Sequence, residues 1–378
     1  MPHRLRLLAL MLFAATTGMV FGLPPAPGHA QDDPTPRAQP VRECPPPDDL
    51  KWQPRTGTDD GTRVARDLNY RPTQTLDIYL PAGTGPHPVL LWLPGGAWTT
   101  GDKSNDPPTL MLQYGFAVVS INYRKLPQAA MPDQIRDVTA AVRWIRAWSE
   151  RFHFNPLAIG AWGASTGGHL AALLGTASTH QDFGGGPNAA FSSSVQAVCD
   201  WYGPADLAAM SDVAKVKELL GNAQGDELTY RCRAASPITY VDRNDPPFLI
   251  QHGDADRVVP VDQSVRLHEA LRAAGVHSTL HKVPGAGHAR FMQPAVIDEV
   301  REFFVRHLRP PVPPDIAARR HRTAAERIAS LDRDNDALVS RAEYPPDRDA
   351  SFFDRVDVNR DGYVSEDELV ADLDARRR

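Results

Sequence analysis

The first candidate for chemistry is a serine set between glycines, in the segment Gly163-Ala-Ser165-Thr-Gly167. The pattern G-x-S-x-G is typical of a sharp turn between a strand and a helix, which exposes the serine side chain. An apolar segment, residues 157–162, precedes the turn, and a segment rich in small residues, 167–174, follows it. Because such pentapeptides also arise by chance, this context is what favours Ser165 as a nucleophile.

A serine hydroxyl is a weak nucleophile, so it needs a base and a group that orients that base. His288 follows the glycine-rich residues 285–287 and lies downstream of two aspartates, Asp254 and Asp256. The order serine, acid, histidine is the one expected for such a site. We expect His288 to take the proton of Ser165 and an aspartate to orient the imidazole. The residue types alone do not decide which of the two aspartates has this role.

These motifs resemble those of α/β-hydrolase esterases related to hormone-sensitive lipase and to the BD-FAE type of feruloyl and acetylxylan esterases. The resemblance covers residues 70–308. The segment His252-Gly-Asp-Ala-Asp256-Arg-Val-Val-Pro is similar to a family segment whose second acid belongs to the triad. The resemblance therefore implies Asp256, with Asp254 as the alternative.

The segment Leu93-Pro-Gly-Gly-Ala-Trp98 is similar to the H-G-G-G-W loop of these esterases. It departs from that pattern at Pro94 and Ala97, and the turn departs at Ala164 and Thr166. Backbone N–H donors survive such changes, because side chains do not supply them. The resemblance implies an oxyanion hole made by the backbone of Gly96 or Ala97 together with Thr166. Three aromatic residues beside strand ends are predicted to line an acyl or sugar site, with the core as the alternative: Trp98, Trp201 and Tyr202.

Short apolar segments alternate with helical ones through most of the chain. Predicted strands cover residues 76–80, 89–93, 117–122, 157–162, 195–201, 248–252 and 278–283, and predicted helices cover 131–149, 167–174, 262–274 and 295–308. This alternation favours a mostly parallel sheet covered by helices on both faces, the α/β class. Together with the resemblance, it predicts an α/β-hydrolase fold.

The N-terminal residues 1–30 have the pattern of a secretory signal peptide, in which arginines precede an apolar run and a small-residue site. A retained membrane anchor is the alternative. We expect a secreted or periplasmic protein with a Pro-rich lead segment (31–54), a catalytic domain (55–309), a Pro-rich linker (310–314) and a small domain (315–378). The net charge of −5 provides no basic surface for nucleic acid.

Export would allow disulfides, and we expect Cys199 and Cys232 to pair, leaving Cys44 as the third cysteine. The small domain contains two twelve-residue loops with oxygen side chains at calcium-ligand spacing, typical of an all-α EF-hand pair. The first loop has Ala337 where glycine is usual, which weakens that site. The predicted Ca²⁺ ligands are Asp332, Asp334, Asp336, Leu338, Ser340, Glu343, Asp357, Asn359, Asp361, Tyr363, Ser365 and Glu368.

The sequence thus predicts a secreted serine carboxylic-ester hydrolase whose calcium is structural and whose catalysis needs no cofactor. The substrate class, a short acyl or aromatic ester on a small molecule or plant polysaccharide, rests on resemblance alone. An amidase or exopeptidase with the same triad is one alternative, because the residues do not define the leaving group. A calcium-dependent binding protein with an inactive hydrolase fold is the other.

Overall fold

The computed structural model describes residues 42–55, 60–308 and 314–333, followed by shorter stretches at 337–341, 343–344, 353, 355–357, 363–366 and 368–370. All of these residues belong to the second of two compact units of the chain, Pro40–Arg378. The predicted signal peptide lies outside the described residues. Within them, no helix is both long enough and apolar enough to span a membrane.

Nine strands form the main sheet of the described chain. Their bounds are Gln53–Pro54 (β1), Arg63–Asn69 (β2), Thr75–Leu80 (β3), His87–Leu93 (β4), Ala117–Ile121 (β5), Phe154–Ala164 (β6), Ala197–Trp201 (β7), Phe248–Gly253 (β8) and Ser278–Val283 (β9). Their spatial order is β1-β2-β3-β5-β4-β6-β7-β8-β9. The pairs from β5 to β9 are parallel and those from β1 to β5 antiparallel, so the prediction of a mostly parallel sheet is confirmed.

Eight α-helices are described: Asp133–Ala147 (α1), Ser149–Phe152 (α2), Thr166–Ala177 (α3), Ala214–Leu219 (α4), Gly225–Ala235 (α5), Asp262–Ala273 (α6), Pro294–Leu308 (α7) and Pro314–Leu331 (α8). Residues of α1, α3 and α6 pack on one face of the sheet, and residues of α7 pack on the other. Strands β4 and β7 are buried at every residue, because helices cover both of their faces. Their continuous apolar runs follow from that burial.

The predicted disulfide is wrong, because all three cysteines are free thiols. Cys199, on β7, packs between the sheet and α7 in a cluster with Trp162 and Phe304. Cys232, on α5, packs in a separate cluster with Leu207 and Leu219. The two side chains are therefore part of different apolar layers.

The described residues after Pro314 have an apolar cluster of their own, which includes Ile328, Val339, Phe353 and Val364. Two short antiparallel strands, Val339–Ser340 (β10) and Tyr363–Val364 (β11), pair Val339 with Val364. These valines occupy the eighth position of the two predicted calcium loops. The pairing is the short β contact that a paired module requires.

Candidate active site

Four loops of the catalytic region begin at the carboxyl ends of parallel strands. Ser165 follows β6, Asp256 lies just beyond β8, His288 lies in the loop after β9, and residues 94–98 follow β4. In a parallel sheet these ends share one edge, which is where ligands bind in open α/β folds. The topology therefore brings residues that are far apart in sequence to one place.

Ser165 is held in a strained turn between β6 and α3. Its backbone has φ 56° and ψ −120°, a conformation that is uncommon for a residue with a Cβ. A Cβ on Gly163 would collide with the carbonyl oxygen of Gly167, and one on Gly167 would collide with that of Leu93. The N–H of Ser165 also donates to the carbonyl of Trp201 at 2.8 Å. The turn thus requires both glycines, as the G-x-S-x-G pattern predicts.

The structure brings Ser165, His288 and Asp256 into one hydrogen-bonded chain. His288 Nε2 lies 2.8 Å from Ser165 Oγ, and His288 Nδ1 lies 2.6 Å from Asp256 Oδ2. The Asp256 side chain is fully buried, whereas the His288 side chain remains 17% exposed. In this arrangement His288 can accept the serine proton while Asp256 fixes its tautomer and stabilises the imidazolium.

The two competing aspartates have different surroundings. Asp256 Oδ1 accepts hydrogen bonds from the N–H groups of Val258 and Val259, so both carboxylate oxygens have partners. Asp254 is exposed, and its Oδ1 accepts from the N–H of Gly285. Asp254 therefore anchors the loop that leads to His288 but does not contact the imidazole.

His252 supports Asp256, a contact that the sequence did not predict. Its Nε2 lies 3.0 Å from the carbonyl oxygen of Val259 and 3.2 Å from Asp256 Oδ2, and its Nδ1 lies 2.7 Å from the hydroxyl of Ser264. Burial lowers the pKa of His252, so the ring is neutral at physiological pH. A neutral ring places an N–H beside the carboxylate and fixes its position without adding a charge.

The loop after β4 packs directly against the serine turn. A Cβ on Gly95 would lie 2.8 Å from the carbonyl oxygen of Ala164. The carbonyl of Gly96 accepts the N–H groups of Thr99 and Thr100. Because the C=O and N–H of a trans peptide point in opposite directions, the N–H of Ala97 points away from Thr99 and Thr100. Thr166 lies in the first turn of α3, where N–H groups have no partner within the helix.

Tyr123 anchors the same loop where the sequence departs from the family pattern. Its hydroxyl donates to the carbonyl oxygen of Pro94 at 2.8 Å. Burial raises the pKa of Tyr123 to about 12, so the hydroxyl remains a donor at neutral pH. Lys125 Nζ donates to the carbonyl oxygen of Gly101 at the far end of the loop. These contacts hold the loop without the histidine that Pro94 replaces.

Trp98 and His169 form a buried pair behind the loop. The indole N–H of Trp98 donates to His169 Nδ1 at 3.2 Å, and His169 Nε2 donates to the carbonyl of Ala235 at 2.8 Å. Burial lowers the pKa of His169 to about 4, which keeps the ring neutral. Trp98 was predicted to line the substrate site, but its ring is buried in the α4–α5 cluster instead.

A cavity of about 380 Å³ is lined by residues of this loop and by Ala164, next to Ser165. Trp201 and Tyr202 are also among its lining residues, and Tyr202 packs edge-on against the His288 ring at 4.8 Å between centroids. Arg290 also lines it, and Arg290 Nη1 forms an ion pair with Asp106 Oδ1 at 2.9 Å. No sequence pattern indicates this ion pair, because Asp106 and Arg290 belong to loops far apart in the chain.

The predicted calcium loops are described only in part, since Asp334, Asp336, Asn359 and Asp361 lie outside the described residues. In the described part, no three acidic, histidine or cysteine side chains converge as a metal site requires. One backbone angle and two hydrogen bonds describe the first of these loops. Ala337 has φ 68° and its N–H donates to Asp332 Oδ2 at 2.9 Å, while Glu343 Oε2 accepts from Ser340 Oγ at 2.7 Å.

Comparison with known proteins identifies relatives of the catalytic region. Esterase LipC of Mycobacterium tuberculosis is 35% identical over 231 residues, which cover 57% of this chain and 57% of LipC. Esterase LipQ of the same organism is 33% identical over 238 residues, which cover 59% of this chain and 56% of LipQ. The chain therefore spans little more than half the length of these curated relatives.

The solved structure of a truncated carbohydrate esterase from gut microbiota superposes with a TM-score of 0.63 and 33% identity. This match covers 67% of the chain and 99% of that protein. A profile of the BD-FAE family matches residues 76–271, just over half of the chain. From this match, together with the nearly complete overlap with a solved esterase, we conclude that the chain belongs to the BD-FAE family, on an α/β-hydrolase fold.

Proposed function

We propose that the protein is a serine carboxylic-ester hydrolase in which Ser165 is the nucleophile, His288 the acid and base, and Asp256 the orienting acid. The observation that carries this proposal is the hydrogen-bonded chain of these three side chains at the edge of the sheet. The esterase names of the matched relatives support the same reaction class.

In the proposed reaction, Ser165 Oγ attacks the ester carbonyl while its proton passes to His288 Nε2. The negative charge on the carbonyl oxygen is stabilised by the N–H groups of Thr166 and of Gly96 or Ala97. His288 then protonates the departing alcohol. A water molecule, deprotonated by His288, then attacks the acyl group on Ser165. The bond between the acyl carbon and Ser165 Oγ breaks, His288 returns the proton to Oγ, and the acid is released.

The substrate proposed is a short acyl or aromatic ester, including esters of polysaccharides. The cavity volume of about 380 Å³ fits a small substrate group, and the matched structure from gut microbiota is a carbohydrate esterase. Export through an N-terminal signal peptide is part of the proposal and rests on the sequence of residues 1–30.

A calcium-binding module at the C-terminus is also proposed. The pairing of β10 with β11 and the φ of Ala337 support two adjacent EF-hand loops. The cation would be held by the side chains of the acidic, Asn and Ser ligands predicted above and by the backbone carbonyls of Leu338 and Tyr363. Bound calcium would offset the repulsion between carboxylates that meet in each loop.

The function is tested by comparing an ester with an amide of the same acid. We expect the wild-type protein to hydrolyse p-nitrophenyl acetate much faster than p-nitroacetanilide, and Ser165→Ala to lower kcat on the ester by about 10⁴-fold or more. Ser104→Ala, an exposed serine in a loop, is the matched control and should retain activity. Equal or faster amide hydrolysis would instead favour an amidase.

A further inference from the structure

Arg290 and Asp106, which form an ion pair, both line the cavity. Arg290 is two residues beyond His288, and Tyr202, which also lines the cavity, packs against the His288 ring. In serine ester hydrolysis, the departing alcohol must reach the nitrogen that protonates it, which is His288 Nε2. The groups beside His288 therefore face the alcohol portion of the ester and not its acyl portion.

The lining of the cavity combines aromatic and polar residues. Trp92, Trp201 and Tyr202 belong to it but are only 4%, 1% and 4% exposed, whereas Asn105 and Thr100 are exposed polar residues. The Asp106 side chain is 71% exposed and that of Arg290 is 32% exposed, so both charged groups can meet a ligand. The pair offers donors and acceptors side by side without net charge.

Arg290 retains hydrogen-bonding capacity beyond this ion pair. A guanidinium carries five N–H donors, and the ion pair with Asp106 is made by Nη1 of a side chain that is 32% exposed. Asp106 is held in a left-handed conformation, φ 49°, in a loop whose Asn105 carbonyl accepts the indole N–H of Trp92 at 3.0 Å. The loop that carries Asp106 is thus attached to Trp92 of the cavity lining before a ligand enters.

We propose that Arg290 and Asp106 determine specificity by binding hydroxyl groups on the alcohol portion of the ester, in a polyhydroxylated alcohol. Neighbouring hydroxyls need one donor and one acceptor close together, and the exposed ion pair supplies both. This inference rests on the proposed ester hydrolase function.

The test uses two acetate esters of secondary ring alcohols, a monoacetylated methyl xyloside and cyclohexyl acetate. They differ in the hydroxyls and ring oxygen that the ion pair is proposed to bind. The variants are Asp106→Asn, since Asn tolerates the left-handed backbone, and Arg290→Met, which keeps the apolar stem. Glu218→Gln, which breaks an exposed ion pair with Lys215, is the control.

We expect each variant to lower the ratio of kcat/KM for the xyloside ester to that for cyclohexyl acetate by about 10- to 100-fold, while Glu218→Gln leaves the ratio unchanged. If kcat/KM falls equally for both esters, or if the ratio does not change, the ion pair does not bind the hydroxyls and the inference is wrong. It is also wrong if the wild type cleaves p-nitrophenyl acetate but not the xyloside ester. A wild-type protein that cleaves no ester at all contradicts the proposed function itself.

Discussion

At the scale of single residues, the role of the orienting acid can be tested by changing each of the two aspartates separately. Asp256 contacts His288 Nδ1 at 2.6 Å, whereas Asp254 accepts from the backbone of Gly285. We expect Asp256→Asn to lower kcat by about 10³- to 10⁴-fold, because the amide favours the wrong histidine tautomer. Asp254→Asn keeps an acceptor for Gly285 and should cost less than about tenfold. Steady-state kinetics on p-nitrophenyl acetate measure both, and a larger loss for Asp254→Asn would reverse the assignment.

His169 gives the fold a dependence on pH. Its pKa is about 4 in the folded protein because it is buried, against about 6.5 when unfolded. Between these values the unfolded chain takes up a proton that the folded protein does not, so stability falls as the pH falls through this window. We expect the difference in unfolding free energy between the wild type and His169→Gln to shrink by about 2 kcal/mol from pH 7 to pH 5. Urea unfolding at both pH values measures this difference, and a constant gap would show that His169 does not titrate in this way.

At the scale of elements, the loop after β4 depends on Tyr123. The Tyr123 hydroxyl is the side-chain donor to the carbonyl of Pro94, so Tyr123→Phe should loosen the proposed oxyanion loop. Loss of one hydrogen bond predicts a decrease in kcat of about five- to tenfold, with a smaller change in KM. Tyr240→Phe is a matched control, since its hydroxyl donates to the carbonyl of Ala234, away from this loop. Equal losses in the two variants would argue against a specific role for Tyr123.

The first of the two predicted calcium loops has a strained backbone at one residue. Ala337 has φ 68°, where glycine avoids the cost of a Cβ. We expect Ala337→Gly to stabilise the small module by about 1 kcal/mol and to raise its calcium affinity about fivefold. The same change at Ala325, an exposed residue of α8, should destabilise it by a similar amount. Calcium titration calorimetry and thermal unfolding measure the two effects, and changes of the same sign would contradict this account.

The elements that the sequence predicted well are the buried parallel strands. Residues 87–93 and 197–201 are apolar runs because both sheet faces are covered, and such runs are visible in sequence. Strand β2, RVARDLN, was not predicted, because its charged residues and register shift interrupt any alternation. Helices α4 and α5 were also missed, since both are short and belong to an insertion whose packing against Trp98 is a tertiary contact.

The site was predictable to the extent that motifs fix local geometry. The serine turn and the order serine, acid, histidine are local or ordinal patterns, so Ser165 and His288 could be proposed in advance, whereas the choice of Asp256 over Asp254 rested on the family resemblance. The contacts of His252 with Asp256, of Tyr123 with Pro94 and of Arg290 with Asp106 depend on how loops meet across the sheet edge. No pattern in a single sequence encodes such pairings.

At the scale of the whole molecule, the proposed calcium module and the proposed active site use separate residues. The triad contains no metal ligand, and the predicted ligands all lie beyond residue 331. We therefore expect a chain ending at Arg309 to retain its kcat on p-nitrophenyl acetate, because the module takes no part in the reaction. Chelation should instead lower the unfolding temperature of residues 315–378 in the intact protein. If turnover stops at the rate of calcium loss, or if the folded truncated chain is inactive, the active site depends on the calcium module and this expectation is wrong.

The central claim, that Ser165 becomes acylated during ester hydrolysis, is tested most directly by covalent labelling. The full-length protein is treated with a fluorophosphonate, and its peptides are analysed by mass spectrometry. We predict one adduct per molecule, on the peptide that contains Ser165, with loss of activity in proportion to labelling. His288→Ala should label far more slowly, because Ser165 then lacks its base. Active protein that remains unlabelled, or that carries its adduct on another residue, would contradict the assignment of Ser165.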